Sequence, residues 1–115
     1  MKFGTMFRQR DILIVPFPFS DLSGQKNRPV LVLSKDKDNN SADDIITCGI
    51  TSNLKNAKYS VIIENKDLEN GNIPSKSRIK VDKLFTIEKS SVIKKVAMIN
   101  QKTFGKVGKE FNSLI

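Results

Sequence analysis

Histidine is absent from the 115 residues, and that absence removes several mechanisms at once. No imidazole acid–base pair, no Ser-His-Asp triad and no histidine-bearing zinc site can be built. Hydrolytic or transfer chemistry here has to use Asp, Glu, Lys, Arg, Thr or Ser. Cysteine occurs once, at Cys48. A single thiol closes no intrachain disulfide, and the neighbours Ile45, Ile46 and Ile50 mark it as a buried apolar residue of a reduced, cytoplasmic protein. Long hydrophobic runs are missing too. The stretch Ile12–Phe19 is short, holds two prolines and is followed by no small-residue cleavage pattern, so it reads neither as a signal peptide nor as a membrane span. No carboxylates cluster in the sequence as a Mg²⁺ site requires. With no internal repeat, low-complexity tract or domain boundary, one domain over residues 1–115 is expected.

What is present is basic charge. Lysine and arginine number 20 against 12 acidic residues, a net charge of +8. An excess of that size on a small domain favours an anionic partner, nucleic acid among them. A merely soluble, lysine-rich surface is the plainer alternative. The hydrophobic share of 38% is ordinary for a globular chain, and at this length a core needs no disulfide or metal to hold it.

The pattern predicts many short strands and one terminal helix. Asp11–Val15 is a buried strand, and Pro16-Phe17-Pro18-Phe19 is not expected to continue it centrally, because proline donates no ladder hydrogen bond. Ser20–Asn27 is dense in turn formers and reads as an exposed loop. Further strands are expected at Arg28–Ser34, Asp44–Ile50 and Ser60–Glu64, with a polar loop over Lys35–Asp43. Asn70–Pro74 is a turn signal. Ser77–Asp82 alternates as a half-buried strand should, Leu84–Ile87 extends it after a bend, and Lys95–Ile99 adds a short strand. Phe104, Val107, Phe111 and Leu114 then fall at helical spacing, behind Asn100 as N-cap and despite Gly105 and Gly108. The expected class is a small, mostly antiparallel β-barrel with helical additions.

Three segments, in order, resemble the MazF/PemK family over nearly the whole chain. They are Arg10-Asp11-Ile12-Leu13-Ile14-Val15-Pro16-Phe17, then Arg28-Pro29-Val30-Leu31-Val32-Leu33-Ser34, then Ile50-Thr51-Ser52 with the later Ser77–Asp82 and Thr86-Ile87-Glu88. Gln9-Arg10 stands where the family has a glycine before the aspartate. The resemblance implies an SH3-like barrel with a C-terminal helix, forming a homodimer with RNA in a groove across its interface. It implies a toxin that cuts single-stranded RNA sequence-selectively, without metal or cofactor, leaving a 2′,3′-cyclic phosphate and a 5′-hydroxyl. A cognate antitoxin protein is the implied partner.

Such cleavage uses the substrate's own 2′-hydroxyl as nucleophile. The enzyme must accept a proton, stabilise charge on the phosphate and return a proton to the leaving oxygen. By resemblance Arg28 is the catalytic arginine, and a guanidinium fits phosphate oxygens bidentately. Its plainer role is a surface arginine opening a strand. Thr51 stands where the family binds phosphate through a hydroxyl, with Ser52 as its fallback, although threonine also suits a strand for its own sake. Asp82 aligns with an acidic position that some members use as base. An unperturbed Asp, with a pKa of about 3.9, is a poor base near neutrality, and an ion pair with Lys80 or Lys83 is the alternative. Lys80 departs from the arginine of the PemK-like branch. Either it supplies the proton to the leaving group or Arg28 does so alone. Lys26 and Lys83 are candidates for further phosphate contacts, as are Lys55 and Lys58, although lysines scattered singly are usually just solvated, and Ser23-Gly24 is expected to lend the groove-side loop mobility. Phe17 and Phe19 are either base-stacking platforms or residues of the core or interface. Two rival functions remain at this stage: a gyrase-binding toxin on the same barrel, like CcdB, and a nucleic-acid-binding barrel without turnover. The end Phe111-Asn112-Ser113-Leu114-Ile115 does not resemble the aromatic, glycine-containing tail of the CcdB-like toxins.

Overall fold

The computed structural model describes residues 6–18 and 25–115. Phe19 and the expected loop residues Ser20–Gly24 lie outside the described residues. Among the described residues seven strands form one antiparallel sheet. They are β1 (Asp11–Pro18), β2 (Gln25–Val32), β3 (Asp44–Thr51), β4 (Ser60–Ile63), β5 (Leu68–Gly71), β6 (Ser77–Glu88) and β7 (Lys94–Ile99), in the order β4-β6-β3-β2-β1-β7-β5. Among the described residues two α-helices, α1 (Asp36–Ser41) and α2 (Gln101–Leu114), accompany the sheet.

Strand alternation divides the core in two. Ile12, Leu31, Cys48, Ile50, Ile79 and Val81 point to one face, and Leu13, Val15, Val30, Val32 and Ile45 to the other. Burial on both faces explains why β1 opens as an unbroken apolar run. Each Leu, Ile or Val so buried contributes roughly 1.5–3 kcal/mol relative to exposure. β4 and β5 stand at opposite ends of the strand order. Yet Val61 and Ile63 of β4 share a cluster with Ile73, just past β5. The sheet therefore curls into a half-barrel, closed by α2 over β4 and β6. Asn100 caps α2, its side-chain oxygen accepting from the Thr103 amide at 2.8 Å. Val107 is buried, and Phe104 and Phe111 pack against the first cluster. Among the described residues no helix is long and apolar enough to cross a membrane.

Three local expectations are corrected. β1 runs on through Pro16 and Pro18, pairing with β2 as far as Gln25, so Gln25–Asn27 are strand and not loop. β7 pairs with Asp11–Ile14, so beyond that point β1 has one strand neighbour among the described residues and a side that tolerates a missing N–H. Lys35–Asp43 contains α1, fixed by the buried Asn39 amide, which donates to the carbonyls of Phe7 and Ser34 at 3.1 and 2.9 Å. The Asn70–Gly71 signal ends a strand, β5, against β7. Gly71 has φ +79°, and a Cβ there would run into the Val96 carbonyl and the Ala97 backbone.

Candidate functional site

The β2–β3 register pairs Val30 with Gly49, and by strand alternation Arg28, two residues back along β2, and Thr51, two residues on along β3, lie on the face of that pair. Across β3 and β6, Gly49 pairs with Lys80 and Thr51 with Arg78. Residues directly opposed share a face. One face of three adjacent strands thus carries Arg28, Thr51, Arg78 and Lys80 in two neighbouring rows. At this end of the sheet a cavity of about 510 Å³ is lined by Lys26, Arg28, Thr51 and Ser52, over apolar residues that include Ile12 and Ile50.

A bulge gathers the rest. The β3–β6 register shifts between Cys48 and Gly49, so Cys48 pairs with Leu84 while Gly49 pairs with Lys80. The space a Gly49 side chain would fill is bordered by Lys80 Cε at 3.4 Å, Phe85 Cε2 at 3.5 Å and Lys83 Cβ at 3.8 Å. Glycine at this position lets two lysines and an aromatic ring share one spot. Phe85 in turn meets Phe17 edge to face, with centroids 4.7 Å apart at 81°.

The electrostatics follow from that crowding. Burial lowers the Lys80 pKa below the usual lysine value, and the charges of Arg78, Lys83 and Arg28 lower it further against the opposing pull of Asp82. A lysine so placed gives up its proton more readily than one in open water. Cys48 is the reverse case: burial first, and Asp82 second, push its thiol up to about 12. It stays protonated and is no nucleophile. The Thr51 hydroxyl oxygen accepts from the Asn53 amide at 3.1 Å, which leaves its proton for another acceptor.

The residues expected from sequence therefore fall into two adjoining groups. Lys26, Arg28, Thr51 and Ser52 line the cavity, and Lys80 and Lys83 crowd over Gly49. The Arg28 charge felt at Lys80 joins the groups. Asp82 is exposed, close enough for its charge to act on both Lys80 and Cys48. Phe17 is half-buried against the second core cluster, while Lys55 and Lys58 are exposed outside both groups. Sequence reading passed over Arg78, Gly49 and Phe85. The alternation Arg78-Ile79-Lys80 was the available signal for the first, but a bulge, which brings the other two together, has none. Among the described residues no group of His, Cys, Asp or Glu is arranged to hold a metal ion.

A family model described as PemK-like, MazF-like toxin of type II toxin–antitoxin systems matches residues 8–115. The chain belongs to this family. Among solved structures it resembles MazE–MazF from Deinococcus radiodurans, with a TM-score of 0.78 at 19% identity, covering 96% of each chain. It also resembles an endoribonuclease from a mycobacterial species, at TM-score 0.76 and 15% identity over 97% of this chain and 93% of that one. A mycobacterial endoribonuclease in complex with its cognate antitoxin gives 0.74 at 15%, over 92% and 91%. At these identities the likeness is one of fold. A comparison with curated protein sequences finds no match. The PemK/MazF-like toxin thus carries Arg28, Arg78 and Lys80 on one face of a curled sheet.

Proposed function

We propose that this toxin is a cytoplasmic, metal-independent, sequence-selective endoribonuclease of single-stranded RNA. The observation that carries the reading is that Arg28, which lines one cavity with Thr51, adjoins the Lys80 and Lys83 pair over Gly49 in a chain without histidine. Arg28 holds the non-bridging phosphate oxygens and takes up charge as it grows in the transition state. Thr51, with Ser52 beside it, donates a neutral hydrogen bond to the same phosphate. Asp82 accepts the proton of the substrate 2′-hydroxyl as the 2′-oxygen–phosphorus bond forms. Lys80 returns a proton to the departing 5′-oxygen as the phosphorus–oxygen bond breaks, a task suited to an ammonium whose pKa is lowered. The products are a 2′,3′-cyclic phosphate and a 5′-hydroxyl. Lys26 and Lys83 extend the phosphate track, and Phe17, through its contact with Phe85, borders it.

Two similar folds are those of endoribonucleases, and one of these is bound to its cognate antitoxin. We assign this toxin an antitoxin partner too, with an acidic segment that orders along the cationic face and shuts RNA out. The working unit is a homodimer. The exposed Ile46 and Leu84 border an apolar groove of about 380 Å³ with Leu33, Phe104, Val107 and Phe111, a patch expected to be covered.

End mapping of cleaved RNA tests the chemistry. Cleavage is expected to survive excess chelator, and Arg28→Ala to lower kcat by roughly 100- to 1000-fold with the fold intact. Arg28→Lys recovers little, because the planar fork is gone. RNA carrying one 2′-deoxy residue at the cut site should bind and not be cut. Its cleavage at a normal rate would show that water attacks, and would sink this mechanism.

A further inference from the structure

Arg78 is 5% exposed, and its guanidinium donates to two neutral acceptors. Nε donates to the Asn53 carbonyl at 3.0 Å, and one terminal nitrogen donates to Ser60 Oγ at 3.0 Å. Among the described residues no carboxylate lies within ion-pair distance of it. A buried cation without a counter-ion is costly to keep. A residue needed only to tie the two ends of one connection together does not require that charge.

The two acceptors sit at the two ends of the connection between β3 and β4. Asn53 follows Thr51 and Ser52, and its amide donates to Thr51 Oγ1 at 3.1 Å. Ser60 opens β4 and passes the contact on, its hydroxyl donating to the Lys58 carbonyl at 3.2 Å. One side chain therefore anchors both feet of the segment that begins with Thr51 and Ser52. The same side chain stands in the row of Lys80, two residues along β6, with Thr51 as its partner across the sheet.

We infer that Arg78 is a positioning residue of the RNA-cleavage site: it staples the β3–β4 connection so that the Thr51 hydroxyl is held as a donor, and its uncompensated charge conditions Lys80. This rests on the reading of Arg28, Thr51 and Lys80 as the phosphate site. The lowered Lys80 pKa agrees with it, since among the charged groups acting on Lys80 (Arg78, Lys83, Arg28 and Asp82) Arg78 is the largest contributor. The staple and the charge are separable. Lysine at position 78 keeps the charge and loses the fork, whereas glutamine loses the charge and keeps a donor.

Arg78→Gln, Arg78→Lys and Ser60→Ala, each in the full chain, test the inference, with Arg78→Met replacing the glutamine variant if that one does not fold. Side-chain NMR titration of Lys80 reads the charge without any need for activity. Its midpoint should rise in Arg78→Gln and stay near wild type in Arg78→Lys and Ser60→Ala. Amide hydrogen exchange at Asn53 reads the staple, and should quicken in both Arg78 variants. In cleavage assays Arg78→Lys should lose roughly 10- to 100-fold in kcat with KM little changed. An unmoved Lys80 midpoint in Arg78→Gln overturns the electrostatic role, and unchanged exchange at Asn53 overturns the staple. If both shift as expected while the wild-type protein cuts no RNA, the endoribonuclease reading fails and the structural assignment of Arg78 stands.

Discussion

At the scale of single residues, the entry into β1 holds two unusual positions side by side. Arg10 has φ +85°, a left-handed backbone that costs a side-chain-bearing residue roughly 1–2 kcal/mol. The MazF/PemK pattern has glycine just ahead of the aspartate, and this conformation gives the reason. Arginine is tolerated because its guanidinium reaches the Ile99 carbonyl at 2.9 Å and Glu69 at 3.0 Å, and its backbone pairs with Val32 and Ile99. Arg10→Gly loses the clamp and relieves the backbone, whereas Arg10→Ala loses the clamp and keeps the strain. The alanine variant should therefore be the less stable by about 1 kcal/mol in urea unfolding. The reverse order would contradict the left-handed geometry.

Asp11, next along, is fully buried. One carboxylate oxygen accepts from the Arg8 amide at 2.8 Å and meets Lys95 at 3.4 Å, while the other has no partner. Burial raises its pKa from the ordinary value of 3.8, against the contrary pull of the Arg8 amide and Lys95. A raised pKa means the folded state holds this proton more tightly than the unfolded one. The contribution to stability is greatest below pH 3.8 and is lost as pH rises through the folded value. Asp11→Asn carries no such dependence. The stability of Asp11→Asn relative to wild type should therefore increase with pH across the acid range, in urea unfolding at successive pH values. A flat difference would mean that Asp11 titrates alike in both states.

At the scale of elements, α2 forms despite Gly105 and Gly108 because its apolar stripe packs on the first core cluster. Gly105 is exposed, and a Cβ there meets nothing within 4 Å. Gly105→Ala should raise unfolding stability by about 1 kcal/mol, and a neutral or negative effect would point to a tertiary role for that surface. The helix and its Asn100 cap were legible in the sequence because period and cap are local. So were β3, β4, β6 and β7 to within a residue or two, where β-branched residues dominate. α1 was not, because it depends on Asn39 reaching Phe7, far away in the chain. β5 was not, because Leu68–Gly71 is mostly polar and owes its strand form to β7. The continuation of β1 through two prolines depends on where β7 stops pairing, which no local pattern records. The candidate site was only partly legible: Arg28, Thr51 and Lys80 lie on patterned strands, but the grouping of Lys80, Lys83 and Phe85 over Gly49 depends on a register shift between strands distant in sequence.

At the scale of the whole molecule, the two candidate surfaces have opposite character. The cationic row around Arg28 suits RNA, and the groove between β3, β6 and α2 is apolar. Ile46 at 49% and Leu84 at 45% exposure border that groove, on strands whose Ile45, Ile50, Ile79 and Val81 are buried. Both sit on the face of the first core cluster, Leu84 opposite Cys48 and Ile46 two residues along β3, so the hydrophobic layer continues past the edge of α2 into solvent. A second copy of the chain, bringing the same patch, would cover it by two-fold symmetry and bury each copy's Ile46 and Leu84 once. A charge placed at the centre of such a patch is left unpaired in the dimer and is harmless in the monomer. Leu84→Glu should therefore shift the wild-type mass, measured by light scattering, from dimer to monomer, with the circular dichroism of the folded sheet retained. Ile46→Ala, which removes apolar area without adding charge, should weaken association and not abolish it. A dimer that survives Leu84→Glu unchanged would place the interface elsewhere, and a wild-type protein that stays monomeric at high concentration would leave the groove to the antitoxin.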